Sequence, residues 1–312
     1  PQWLGPQVAA LADQVMVKIN NAAALNAVNL LAMVLLVNDK HALSKPKLLA
    51  QLDFYLRLQR DASYSDKVTA PDETPEQLLT HALKLNKFDV ISDEFGEIIA
   101  ISDKEKTLFN YYRNNILHLF AVPSLLALHL FKQHTTTIKQ CEQLVHSFYP
   151  LFAKEWYLQP LDENYITRIL ANFADQNLIE FDGDNIHITN TNDCLAKLEM
   201  LGRALSFTLQ RYAIVIGFIQ TSNGIEKAEL ERESQVLADR LGTLHGIKTP
   251  EFFDKKVLVG FIDNLRGEGL VTEGDNGLVG STQLCETYSQ LKTLLPARIW
   301  QSISDIVQDQ CN

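Results

Sequence analysis

Eight histidines are the residues of this sequence best suited to proton transfer or metal binding at neutral pH, and they lie at positions 41, 81, 118, 129, 134, 146, 187 and 245. None is followed five residues later by an aspartate, as an HxxxxD motif requires. None lies in an HExxH motif, which would place two zinc ligands on one helix face. His129 and His134 are five residues apart, which puts them on different faces of a helix. The histidines therefore predict neither a catalytic His–Asp pair nor a metal site.

Other enzyme motifs are also missing from the sequence. It contains neither a GxSxG nucleophile motif nor a phosphate-binding P-loop. Gly267-Glu268-Gly269 lacks the third glycine of a dinucleotide fingerprint and precedes a predicted strand, so a helix-to-strand turn is the better interpretation. Glu229, Glu231 and Glu233 lie among the basic residues Lys227, Arg232 and Arg240, which is typical of a solvated helix face. We therefore predict no catalytic residue, no metal site and no cofactor in this chain.

Two arginines in apolar surroundings are the best candidates for a binding role. Arg113 directly precedes an apolar run at residues 116–131, and Arg211 lies inside another at residues 205–219. The polar string around the first consists of Tyr112, Arg113, Asn114 and Asn115. A guanidinium offers a fork of donors suited to a carboxylate or a phosphate. These residues either tie neighbouring helices together or contact another domain or an anionic ligand, and the sequence leaves both interpretations open.

The composition limits the class of protein. The chain has 312 residues, 28 Lys and Arg against 38 Asp and Glu, and a formal charge of -10. This acidic balance disfavours a general nucleic-acid binder. The length suggests two or three domains. The four cysteines are far apart, which favours reduced thiols. No uninterrupted apolar stretch reaches about 18 residues and no signal peptide is recognised, so we expect this piece to be soluble.

The predicted elements are a helical arm and three similar units. Residues 8–37 contain Ala, Leu, Val, Met and Asn without Gly or Pro, which favours a helix. After the arm, short β-prone runs flank turn-forming residues at 92–96, 182–185 and 274–277. Each hairpin follows two predicted helices and a third with apolar residues at helical spacing. Three helices followed by a hairpin are typical of a winged-helix-like unit.

We therefore predict a mainly α fold with short β-hairpins, in which three tandem winged-helix-like units follow the arm. The predicted boundaries are 1–38 for the arm, 39–102 for the first unit, 103–192 for the second, 193–296 for a connecting helix (195–220) with the third unit, and 297–312 for a C-terminal tail that frays from residue 302. The third helix of the second unit contains Arg168 as its only basic residue, which disfavours DNA binding.

Seven strings carry a resemblance to a known family: Trp3-Leu4-Gly5-Pro6, Ile19-Asn20-Asn21-Ala22, Leu85-Asn86-Lys87-Phe88, Tyr111-Tyr112-Arg113-Asn114-Asn115, Thr208-Leu209-Gln210-Arg211-Tyr212-Ala213, Leu244-His245-Gly246-Ile247 and Pro250-Glu251-Phe252-Phe253-Asp254-Lys255. In this order they resemble the C-terminal region of the bacterial glycerol-3-phosphate 1-O-acyltransferases, the large membrane-associated enzymes of gamma-proteobacterial type. The resemblance extends from Trp3 to about Ser281.

The resemblance implies the activity of the whole enzyme. Such enzymes transfer a fatty acyl group from acyl carrier protein or coenzyme A to the 1-hydroxyl of glycerol 3-phosphate, the first step of phospholipid synthesis, at the cytoplasmic face of the bacterial inner membrane. In the family, the catalytic HxxxxD motif precedes the region seen here. We therefore expect this chain to be inactive alone and to scaffold the acyltransferase domain, with the arm at residues 8–37 as the docking element.

The implied partners are the N-terminal acyltransferase domain of the same protein and, as further candidates, acyl carrier protein and a second copy of the chain. Membrane contact is expected through the parent protein, and no nucleic-acid partner is expected. Two other classes stay open. One is a regulatory or protein-interaction winged-helix module, and the other, less favoured, is a DNA-binding protein, which would need a clustered basic surface.

Overall fold

A computed structural model of the chain describes residues 4–38, 40–247 and 252–309. The chain divides into two compact units, of which unit 1 comprises residues 1–142 and 156–204 and unit 2 comprises residues 143–155 and 205–312. The described residues are mainly helical with small antiparallel sheets. This agrees with the predicted mainly α class with short hairpins. The boundaries predicted for three separate units stay a prediction.

Unit 1 contains nine helices and six strands among the described residues. They are α1 (Leu4–Asn21), α2 (Ala27–Leu36), β1 (Ala42–Ser44), α3 (Lys45–Asp61), α4 (Pro75–Leu83), β2 (Asp89–Asp93), β3 (Gly96–Ala100), α5 (Lys106–Leu117), α6 (Ala121–Gln133), β4 (Thr135–Thr137), α7 (Ile138–Trp156), α8 (Tyr165–Asp175), β5 (Ile179–Asp182), β6 (Asn185–Ile188) and α9 (Asn192–Arg203). Helix α7 belongs to both units, because its residues 143–155 are part of unit 2.

In the rest of unit 2, the described residues form helices and one hairpin. Its elements are α10 (Ser206–Thr221), α11 (Lys227–His245), α12 (Lys255–Gly267), β7 (Val271–Gly274), β8 (Gly277–Gly280), α13 (Thr282–Leu294) and α14 (Ala297–Asp309). Helix α10 is the centre of this unit, because all twelve residues at 208–219 are buried. It packs against α11, α12, α13 and α14.

One order of elements occurs three times: helix, strand, helix, helix, then two strands joined by a two-residue turn. In the first two occurrences the sheets have the orders β1-β3-β2 and β4-β6-β5, so the short first strand pairs with the last one. In the third, a single antiparallel bridge between Ile225 and Leu278 replaces that strand. The three predicted hairpins are therefore present.

Backbone conformation repeats with the order of elements. Three equivalent positions in each occurrence have positive φ: one before the first strand or the bridge that replaces it, one after the third helix, and one in the hairpin at Gly96, Gly183 or Gly277. The residues before the first strand are His41, His134 and Gly224, and those after the third helix are Asn86, Asn177 and Gly269. Asn and Gly are the residues that tolerate this left-handed conformation best, and they commonly end helices. These local stops explain why each third helix turns directly into a hairpin.

Unit 1 has a core built around α2, in which eight of the ten residues are buried. Helix α2 packs against α3, α4 and α5. Elsewhere in unit 1, α6 and α9 approach each other closely at Gly202, where an added Cβ would lie 2.9 Å from the Cα of Leu128. The α6–α9 contact therefore requires a residue without a side chain at position 202.

The predicted single helix over residues 8–37 is wrong, because the structure has two helices there. The backbone N–H of Leu25 donates to the Thr69 carbonyl at 2.9 Å, so it cannot form the hydrogen bond that a continuous helix requires. Asn26 then starts α2 with a capping box: its Oδ1 accepts from the Asn29 N–H at 3.0 Å, and Asn29 Oδ1 accepts from the Asn26 N–H at 2.8 Å. The two parts differ in burial, since α1 has no buried residue.

Two further predictions about the C-terminal third are corrected. The predicted connecting helix over residues 195–220 is α9 and α10, separated at Ala204, whose N–H donates to the Leu201 carbonyl in a tighter i→i−3 turn. In place of a tail fraying from residue 302, α14 continues to Asp309. Its Ile299, Ile303 and Val307 are spaced by four and buried, and the helix packs against α10. Residues 310–312 lie outside the described part.

Candidate functional site

The predicted polar string lies on α5 of unit 1. Arg113 is 8% exposed, and its Nε and Nη2 atoms donate to the Asn114 Oδ1 atom at 3.2 and 3.0 Å. Tyr112 is half-buried, with its ring centroid 6.2 Å from that of Phe109. Asn114 and Asn115 are exposed. These contacts all lie within α5, and Arg113 is a buried residue of unit 1. A contact from the exposed amides of Asn114 and Asn115 to an anion or another domain stays a prediction.

The second predicted arginine, Arg211, forms an internal ion pair in unit 2. Its Nη2 atom lies 2.7 Å from Glu155 Oε1, and the two side chains are 7% and 14% exposed. The Tyr212 hydroxyl donates to the other carboxylate oxygen at 2.6 Å, and the Tyr212 ring stacks on Phe261 at 4.2 Å. Burial, and then the negative charge of Glu155, raise the pKa of Tyr212 well above 10. These contacts favour a structural role for Arg211.

Helix α1 carries an apolar surface that the structure leaves uncovered. Its large apolar side chains on one face, which we call the α1 stripe, are Leu4, Val8, Leu11, Val15, Met16 and Ile19. Each of them is between 39% and 61% exposed. Most are three or four residues apart, which is the spacing of one helical face. The predicted docking element at residues 8–37 contains most of this exposed helix and all of the buried α2.

The C-terminal end of α1 is held by a group of polar contacts within unit 1. Asn20 Nδ2 donates to the Trp156 carbonyl at 2.6 Å, and Asn21 Nδ2 donates to Gln159 Oε1 at 2.9 Å. His118 Nε2 lies 3.0 Å from the Asn20 carbonyl oxygen. Burial lowers the pKa of His118, so its neutral form is favoured, with Nε2–H as the donor. These contacts join the C-terminal end of α1 to the rest of unit 1, and no local sequence pattern indicates them.

The hairpin turns are acidic and partly apolar. The first hairpin, β2–β3, carries Asp89, Asp93, Glu94 and Glu97 and no basic residue. Its turn residue Phe95 is 90% exposed, and Val90 and Ile91 are about half exposed. Phosphate groups would be repelled by such a hairpin. The hairpin therefore disfavours a nucleic-acid interface and is better suited to contact with protein.

One cavity of about 430 Å³ lies in unit 2, between the end of α10 and the start of α11. Its ionisable lining residues are Glu229 and Glu233. Arg232 lies 3.7 Å from the first carboxylate and 2.9 Å from the second. No thiol, hydroxyl–imidazole pair or Asp–His pair lines it. The predicted face at residues 229–233 thus contains ion pairs in which Arg232 and Glu229 are exposed and Glu233 is largely covered. The cavity offers no constellation for acid–base catalysis.

The remaining reactive groups are dispersed. Within residues 4–38, 40–247 and 252–309, no three His, Cys, Asp or Glu side chains form a group that could hold a metal ion. Cys141 is buried, and desolvation raises the pKa of its thiol to about 11, which keeps it protonated. His129 is desolvated too, which lowers its pKa, and its Nε2 lies 2.9 Å from Thr136 Oγ1. These side chains have structural partners and no catalytic arrangement.

One helical stretch has the length and composition of a membrane span. It is Asp103–Gln133, which includes α5 and α6, and its most apolar window has a mean hydropathy of 1.4. However, 72% of that window is buried inside the protein. A core helix passes the same test, and the burial of this stretch favours that interpretation.

Comparisons with known proteins identify relatives along the whole chain. Residues 1–274 match the family described as the glycerol-3-phosphate acyltransferase C-terminal region. The curated glycerol-3-phosphate acyltransferase of Pseudoalteromonas translucida (strain TAC 125) is 88% identical over 311 residues, which cover 100% of this chain and 38% of that relative. The chain therefore spans well under half of the length of the relative that it matches.

Proposed function

The chain belongs to the glycerol-3-phosphate acyltransferase C-terminal region family, and on this premise we propose that it is the non-catalytic C-terminal part of such an acyltransferase. The whole protein would transfer an acyl group from acyl carrier protein or coenzyme A to the 1-hydroxyl of sn-glycerol 3-phosphate. The role of this part is to scaffold the acyltransferase domain.

The observation that carries the proposal is that the chain belongs to an acyltransferase family but contains no HxxxxD motif. The family match extends over residues 1–274. Among the described histidines, His118 contacts a backbone carbonyl, and His129, His187 and His245 contact threonine or serine hydroxyls. His81 lies 3.6 Å from the Glu73 carboxylate, but both side chains are exposed on the surface. A general base must reach the proton that it removes. A family member without such a base is best explained as a supporting part of the enzyme.

We further propose that the three repeated arrangements are winged-helix-like units. The order helix, strand, helix, helix, hairpin supports this, as does the pairing of β1 with β3 and of β4 with β6. The matching positive φ values at Asn86, Asn177 and Gly269 support a common geometry. In each of the three winged-helix-like repeats, the third helix and the hairpin would contact another protein surface, because the exposed hairpin residues are mainly acidic or apolar.

The proposed partner is the N-terminal acyltransferase domain of the same protein. Membrane contact and location at the cytoplasmic face of the inner membrane would come through that parent protein. Acyl carrier protein is a weaker candidate for direct contact here, because an acidic carrier requires a basic surface and the first hairpin is acidic. A regulatory interaction module is the second candidate function, and the exposed Phe95 is the observation in its favour.

The experiment is acyl transfer from acyl-CoA to labelled glycerol 3-phosphate, measured with the chain alone, the separately expressed N-terminal part alone, and their mixture. Activity that requires the mixture is the expected result. Activity in the chain alone would overturn the non-catalytic assignment. Full activity in the N-terminal part alone would overturn the scaffold and favour the regulatory module.

A further inference from the structure

Helix α1 exposes apolar surface that its own fold does not use. None of its residues is buried, although it contains the six large apolar residues of the α1 stripe. In α2, a more uniformly apolar helix, eight of ten residues are buried. A large contiguous apolar patch on a protein surface usually marks a site of interaction with a protein or a membrane. In proteins, most of the stability of a helix comes from the packing of its apolar face.

The stripe is presented in a defined place. Asn20 and Asn21 bond to Trp156 and Gln159, and His118 contacts the Asn20 carbonyl, all within unit 1. Gln159 is itself held, because its N–H donates to the Tyr64 hydroxyl at 2.8 Å. These contacts leave the residues from Leu4 to Ile19 outside the core. The helix is thus anchored at one end and uncovered along the rest of its length.

The length of the relative indicates what covers the stripe. The matched region is 38% of that protein, and its family is defined as a C-terminal region, so most of the remaining length precedes the match. A preceding domain joined directly to α1 would be present at an effective concentration of about millimolar. No separate partner has this advantage. We infer that the α1 stripe docks on an apolar surface of the acyltransferase portion that precedes it in the same polypeptide.

The charges of α1 favour this occupant over a membrane. Asp13 and Lys18 are its only charged residues, whereas helices that lie on anionic membranes are rich in Lys and Arg on their polar face. The inference rests on the proposed function, since it takes the preceding portion to be the acyltransferase. The inference limits the docking element, predicted at residues 8–37, to helix α1 (Leu4–Asn21), because α2 is part of the core of unit 1.

The test uses the full-length protein with a photo-crosslinking amino acid in place of Leu11, in the stripe, or of Gln14, on the polar face. Both positions are exposed. Equal amounts of ¹⁴N- and ¹⁵N-labelled protein are mixed before irradiation, so that mass spectrometry separates cross-links within one chain from those between two copies. Val15→Asp and Gln14→Asp are then compared in both the cross-linking and the acyl-transfer assay.

The expected result is a cross-link from position 11, and not from position 14, to the preceding portion of the same chain. Val15→Asp should lower its yield and the acyl-transfer rate at least about tenfold, because a charge must be buried at the contact. Gln14→Asp should change both less than about twofold, since its side chain stays in water. Cross-links between copies or to lipid would overturn the inference, as would equal effects of both substitutions. An inactive unsubstituted protein would instead refute the proposed function.

Discussion

The ion pair between Arg211 and Glu155 provides a sharp test of how burial determines the contribution of a charge to stability. The Arg211 Nη2 and Glu155 Oε1 atoms are 2.7 Å apart, and the two side chains are 7% and 14% exposed, respectively. Arg266 and Glu273 form a matched pair in the same unit, 2.6 Å apart but with side chains 39% and 63% exposed. The two pairs differ in burial and hardly in distance. Glu155→Gln and Glu273→Gln therefore compare the two environments directly.

Removing the buried carboxylate charge leaves the Arg211 guanidinium buried without its counter-charge. Breaking a buried pair in this way costs about 3–5 kcal/mol, whereas losing an exposed pair costs about 0.2–1 kcal/mol. With a urea dependence of roughly 1–3 kcal/mol/M, Glu155→Gln should lower the midpoint of unit 2 unfolding by at least about 1 M. Tyr212→Phe, which removes one hydrogen bond to the same carboxylate, should cost about 1.5–3 kcal/mol.

The assay is urea unfolding followed by circular dichroism, with hydrogen exchange of α10 amides as the specific probe of unit 2. The double variant Glu155→Gln/Arg211→Met should be more stable than Glu155→Gln alone, because it removes the uncompensated charge. The reasoning is refuted if Glu155→Gln and Glu273→Gln differ by less than about 1 kcal/mol in unfolding free energy.

Three further predictions concern unit 1. Gly202→Ala should destabilise unit 1 by about 1–3 kcal/mol through overpacking against Leu128. The control is Gly260→Ala on α12 of unit 2, where an added Cβ meets open space, and it should be neutral or stabilise by up to about 1 kcal/mol. Urea unfolding of both variants distinguishes the two outcomes. Asn177→Val should cost about 1–2 kcal/mol because φ is positive there, and Asn177→Gly should not, which thermal unfolding checks. Burial lowers the pKa of His118 below 6.5, so the unfolded chain takes up a proton that the fold does not, and stability falls as the pH drops below 6.5; His118→Gln should reduce that slope in pH-dependent unfolding.

Much of the fold could be predicted because its signals are local. The hairpins combine β-prone residues with turn residues such as Gly183 and Gly277, and these signals need no tertiary information. Thr137 and Gln140 are three residues apart, which is the spacing of a capping box, and they form one with hydrogen bonds of 3.0 and 3.2 Å. The break at residues 22–26 was missed because it depends on pairing with Thr69, far away in the sequence.

Burial and partners were less predictable than the elements themselves. Helix α2 contains Asn29 as its one polar residue, whereas α1 combines an apolar face with polar residues such as Asp13 and Lys18, so the greater burial of α2 follows from its pattern. The pattern does not show which surface covers the apolar face of α1. Arg211 was identified as a candidate, but its partner Glu155 lies 56 residues earlier, and no local pattern connects them. The anchors Asn20 and Asn21 appeared only as part of a family string, since a polar pair at a helix end has many possible roles.

The division of α7 between the units has a consequence for synthesis on the ribosome. Residues 143–155 belong to unit 2, whose other residues start at 205. They include Phe148 and Phe152, both 0% exposed in the finished structure, and the Phe152 ring lies 6.1 Å from that of Tyr212. A nascent chain that has emerged only as far as α9 would therefore expose these aromatic residues while unit 1 is already folding. That interval is when the growing chain most needs a chaperone.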